Sequence, residues 1–132
     1  MKRIHRVPDD FEAVIRIFNT AEGGRASPAV NGIRWAFMYA ENQPEGELYD
    51  VFPDFYDENG DSLPTDKPLP VGRELPARMV VLFDEMREKR HRARIREGVR
   101  FYCCEGPKRV AEGKVTRITG LFKERPKVEG VA

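Results

Sequence analysis

Phe11, Ala13, Ile15 and Ile17 alternate with Glu12, Val14 and Arg16. A period of two over seven residues belongs to a half-buried β-strand, because successive side chains of an extended chain point to opposite faces. The same reading predicts strands over Ile33–Tyr39, with Trp35, Phe37 and Tyr39 on one face, and over Ala77–Phe83, Val99–Cys104 and Arg109–Ile118. Leu48–Tyr56 is aromatic-rich and extended, and Pro53 assigns it to a sheet edge or a break. Residues 19–32 hold four Gly or Pro and form a long structured loop. Glu41–Glu47 is an acidic turn, and Asn59-Gly60 marks a tight hairpin turn. Residues 62–76 are too rich in proline for regular structure. Residues 84–98 remain open between two or three helical turns and a basic hairpin extension, since only Met86, Ala93 and Ile95 are apolar enough to be buried. About six or seven short strands joined by Pro/Gly-rich segments predict an all-β protein, a single antiparallel β-barrel over residues 11–122. An N-terminal extension (1–10) and a frayed tail (123–132) flank it.

With 132 residues, 40% hydrophobic and 34% charged, the chain has room for one core. The net charge of +1 hides an asymmetry: residues 1–66 carry 6 Lys/Arg against 13 Asp/Glu, and residues 67–132 carry 17 against 9. The two halves attract each other within one barrel or present an acidic and a basic face. Cys103 and Cys104 are adjacent, a spacing that strains a disulfide, so no disulfide framework is expected. Met1–Arg6 is basic with no apolar run behind it, and no window approaches the roughly 20 apolar residues of a membrane span. These features lead to the expectation of a cytoplasmic protein without membrane contact.

Chemistry is sparse. No Gly-rich phosphate loop ending in Lys-Ser/Thr occurs, so GTP binding by this chain is not expected. Asp57–Asp61 lacks the calcium-loop spacing, since Phe55 stands five residues before Gly60. The adjacent cysteines with His5 and His91 lack zinc spacing, and a strand cysteine facing a core is inert, so no catalytic residue, cofactor or metal is assigned. Arg87, Lys89, Arg90, Arg92, Arg94 and Arg96 are dense enough to neutralise several phosphates. In β conformation Arg90, Arg92, Arg94 and Arg96 would share a face; the competing account pairs them with the acidic 41–61 region.

Two blocks carry a resemblance. Glu22-Gly23-Gly24-Arg25 is followed by Ser27-Pro28 and Asn31-Gly32-Ile33-Arg34, and Arg100–Ile118 holds two strand-like runs about Glu105-Gly106-Pro107, with Gly113 in the second. Together with the Phe11-Glu12-Ala13 start, these blocks resemble the C-terminal β-barrel domain of elongation factor Tu, without its GTPase part. The resemblance implies a non-catalytic binding module contacting tRNA or other structured RNA, or a translation-related protein. It places Arg25, Glu105 and Gly106 at an RNA backbone, with Lys108 and Arg109 keeping positive charge beside them. Cys104, Pro107 and Ala36 depart from the family's Arg, Gly and Gln. The alternative is a protein-interaction or decoy module with no nucleic-acid binding. Continuity between Arg25, the 87–96 run and Lys108-Arg109 would favour RNA; an exposed patch of Trp35, Phe52 and Phe55 would favour protein; an exposed Cys beside a His in a cleft would favour an enzyme.

Overall fold

Each alternating segment forms a strand: β1 Phe11–Ile17, β2 Ala36–Tyr39, β3 Val51–Phe55, β4 Glu74–Val81, β5 Arg100–Glu105 and β6 Lys108–Ile118. A computed structural model describes residues 3–41 and 47–125. Most of the acidic turn expected over 41–47 lies outside the described residues, as do the ends of the expected N-terminal extension and tail.

The six strands form one antiparallel sheet in the order β2-β5-β6-β1-β4-β3. Its two edges come together where Phe37 of β2 and Tyr49, just ahead of β3, exchange backbone hydrogen bonds of 2.8 and 2.9 Å. The sheet therefore curls into a barrel-like shell. β3, which carries Pro53, is an edge strand, one of the two placements expected of it. β4 begins inside the proline-rich tract, earlier than the sequence predicts. The Pro76 carbonyl accepts from the Tyr56 N–H on the β3 side, where the ladder has already ended at Phe55–Ala77, so the missing N–H of Pro76 costs no ladder bond.

The interior is aromatic. Phe37 stacks on Phe101 at 4.5 Å between centroids and meets Phe11 edge-on at 6.2 Å, while Trp35 and Phe55 pack edge-to-face. The Phe101 ring occupies the place where a β-carbon at position 113 would stand, which is why β6 has glycine opposite it. β6 bulges twice. Val110 is the extra residue against β5, and Thr116 is the extra residue against β1. The first bulge turns both Val110 and Ala111 into the core.

Residues 84–98 are helical at their start, not a hairpin extension. The segment, here α1, is α-helical over Asp84–Met86, makes a π turn over Arg87–His91 and is α-helical again over Arg92–Arg94. Arg87, His91 and Ile95 are its buried positions. In a pure α-helix residues four apart drift around the axis by about 40° per step; the wider π turn offsets that drift and keeps the three on one inward line. His91 lies against Phe37, Tyr39 and Tyr49, and its Nδ1 is 2.7 Å from the Tyr39 hydroxyl. Burial, then the charges of Arg94 and Arg90, push its pKa down to about 4.

Asp10 ties α1 to the barrel. Its buried carboxylate accepts from Val81 N–H (2.8 Å), Arg87 Nε (2.7 Å) and Arg125 Nη2 (2.8 Å). Arg87 also donates to the carbonyls of Gly120, Leu121 and Lys123, and Arg125 to that of Val81. Arg125 thus sits clamped and buried in the segment the sequence assigned to a frayed tail.

Three outcomes follow from this packing. Asp10→Ala leaves two buried guanidinium groups without their carboxylate and should cost about 3–5 kcal/mol in denaturant unfolding; a loss below about 1 kcal/mol would remove Asp10 from this role. Gly113→Ala should lower stability by about 1–3 kcal/mol by displacing Phe101, read as a fall in Tm. An unfolded histidine binds a proton near pH 6.5, whereas native His91 resists until about pH 4. Stability should therefore be flat in this respect above pH 6.5 and fall by about 3 kcal/mol as pH drops through that window. His91→Gln should flatten this part of the pH profile.

Candidate nucleic-acid interface

The β5–β6 hairpin presents an outer face that alternates with its core face. Phe101 and Cys103 point inward, leaving Arg100 and Tyr102 outside; Ala111, Gly113 and Val115 point inward, leaving Glu112 and Lys114 outside. The turn is two residues long, with Gly106 at φ 57° in its first position. The Val110 bulge shifts the register by one residue and sets Arg100 directly opposite Lys114. Both are exposed, and neither has a side-chain partner among the described residues. Like charges across a strand pair oppose folding. Nearer the turn, the guanidinium of Arg109 lies 4.3 Å over the Tyr102 ring, and Lys108 is exposed. Glu112 on the same face is bound to Arg16 at 3.0 Å. From Arg100 to Glu105 this face extends about 17 Å at the usual strand rise.

At the turn end, Glu105 is held by two donors: Trp35 Nε1 at 2.8 Å and Arg25 Nε at 3.3 Å. The loop that delivers Arg25 is shaped locally. Asn19 and Glu22 form a reciprocal capping box around the 3₁₀ turn Thr20–Glu22, Gly23 takes φ 88°, and Gly24 abuts the Phe18 backbone too closely for any side chain. The glycine pair therefore serves the backbone. An apolar cleft of about 310 Å³, lined by Ile17, Phe18, Ala29, Leu69 and Val71, opens beside Arg25.

At the opposite end of the hairpin, α1 contributes unevenly. Arg94 lies 3.9 Å over the Tyr39 ring and donates to the Glu41 carbonyl at 3.4 Å. Arg94 and Arg100 border one cleft. Arg96 folds back on the carbonyls of Arg92 and Ile95 and closes the helix end. Arg92 is committed to the Leu121 carbonyl at 2.7 Å and to Glu88. Arg90 is exposed on the side of Tyr49. The β-face stripe of Arg90, Arg92, Arg94 and Arg96 is thus overturned, because helical spacing disperses alternate residues around the axis.

The structure brings Arg25, Glu105, Gly106, Lys108 and Arg109 together at one end, and Arg94 and Arg96 at the other. Arg100, near which the basic run of the sequence ends, and Lys114, which sequence reasoning did not single out, join the two along the hairpin. Strand alternation marks both as outward-facing, but their opposition depends on the bulge, for which the sequence carries no plain signal.

The other expected signatures take different forms. Trp35, Phe52 and Phe55 are buried and form no exposed patch. Cys103 and Cys104 are buried and their thiols are pushed up by desolvation, while His91 is enclosed by aromatic rings. Among the described residues no group of three or more His, Cys, Asp or Glu is arranged to hold a metal, and no helix is long and apolar enough to cross a membrane. Among the described residues, Arg94 meets the 41–61 region at the Glu41 backbone carbonyl. Pairs between the two halves among the described residues include Arg87 and Arg125 with Asp10, Arg117 with Glu12, Arg78 with Asp54, Arg25 with Glu105 and Arg16 with Glu112.

In comparisons with known proteins, the chain matches no family model and no curated protein sequence.

Proposed function

We propose that this chain is a non-catalytic binding module whose β5–β6 face holds the backbone of structured RNA, as a cytoplasmic component of translation. The observation that carries this reading is the opposed pair Arg100–Lys114. It opposes folding, neither side chain is ion-paired among the described residues although Glu74 and Glu112 line the same cleft, and it lies between basic groups at both ends of the hairpin. An anion spread along the face, such as a phosphate backbone, would relieve the repulsion. The kind of RNA follows from what the face lacks. Single strands are held largely by stacking on aromatic side chains, but the ring of Tyr102 is covered by Arg109. A face with positive charge and no uncovered aromatic ring suits a base-paired helix, which is recognised by shape and backbone. The resemblance to the Tu barrel domain supports the same reading, with one adjustment: Arg25 and Glu105 bond each other here, so Arg25 flanks the face and is not its centre.

A short RNA duplex should bind with a log–log salt slope of about −4 to −5, corresponding to four to six neutralised phosphates. The double variant Arg100→Ala/Lys114→Ala should lower the slope by about two units while leaving stability unchanged or slightly raised, since a like-charge pair is removed. A wild-type protein that binds no duplex at about 50 mM salt would exclude RNA and leave the protein-interaction alternative.

A further inference from the structure

The cleft between the end of α1 and the start of β5 has a volume of about 280 Å³ and is lined by Tyr39, Glu41, Ala93, Arg94, Val99 and Arg100. Its wall is unusually fixed for an arginine site. The Arg94 guanidinium is backed by the Tyr39 ring at 3.9 Å and tethered to the Glu41 carbonyl. Tyr39 in turn is buried, bonded through its hydroxyl to His91 and packed edge-on against Phe37 at 4.8 Å. A guanidinium seated over an aromatic ring has its other side turned away from that ring, and planar arginines stack on unpaired bases. Arg100, on the same cleft, is at once the first cation of the backbone-binding face.

We propose that this cleft takes one unpaired nucleotide extending from the end of the duplex held on the β5–β6 face. The base lies on Arg94 and its phosphate on Arg100. The inference rests on the duplex reading above and adds to it a site for a single-stranded junction. Size and charge both favour a nucleotide. The volume lies just under the roughly 300 Å³ at which pockets for larger ligands begin, which limits the occupant to about one nucleotide. The cleft sets two guanidinium groups beside an aromatic ring, an arrangement that suits a flat base joined to one phosphate better than a bare polyanion.

The experiment compares two RNA duplexes of identical sequence, one blunt and one with a single unpaired 2-aminopurine nucleotide at its end, tested with the overhang in the 3′ and the 5′ position. In one of the two positions the overhang should raise affinity about tenfold over the blunt duplex, a typical gain for stacking one base. The 2-aminopurine fluorescence should fall on binding as the base stacks. Arg94→Lys keeps the charge and removes the plane. It should abolish the overhang gain, read as the ratio of overhang to blunt affinity measured in the same variant, and the fluorescence change. Equal affinity for blunt and both overhang duplexes would overturn the nucleotide site and leave the duplex face standing. An overhang gain that survives in Arg94→Lys would overturn the assignment of the base to Arg94. Failure of every duplex to bind would overturn the duplex face and this site with it.

Discussion

One buried carboxylate, that of Asp10, holds the end of the barrel together. Removing a charge from water costs several kcal/mol unless its hydrogen-bonding capacity is met. Asp10 meets it with a backbone N–H and two guanidinium groups. The excess positive charge is spread over four carbonyls and the exposed Asp84. Because these partners come from β1, β4, α1 and the segment after β6, no other pairing of those elements satisfies the same set. The arrangement contributes definition more than net stability. It fixes α1 over the barrel end and, through α1, the position of Arg94 beside Arg100.

The charge asymmetry between the two halves of the chain resolves in the same terms. Part of the attraction is satisfied inside and at the rim, where arginines of the second half meet Asp10, Glu12 and Asp54 of the first. These are short-range, geometrically defined pairs, unlike the diffuse attraction between a basic run and an acidic loop. Arg100, Lys108 and Lys114 lie outside them, on the outer face of one hairpin. Burial separates arginines that look equivalent in sequence: Arg87 and Arg92 hold the fold, whereas Arg100 and Arg94 border open space.

The sequence by itself determined the strands, because a period of two with alternating burial leaves little freedom over which face is core. It limited β3 to an edge or a break through Pro53, and the structure decided for the edge. It also marked a tight turn at Glu105-Gly106-Pro107, of which the structure puts Glu105 in the ladder opposite Lys108. Tertiary structure decided the rest. The helical state of 84–94 has weak local support. It comes from docking Arg87, His91 and Ile95 on the barrel end, contacts made with residues more than 50 positions away, such as Asp10 and Tyr39. The candidate site was only half legible for a related reason. Which side chains face outward is a local property of a strand, but which two stand opposite each other is a property of register. A single bulge at Val110, set by how β6 fits against β5 and the core, moves every later pairing by one residue and brings Arg100 against Lys114.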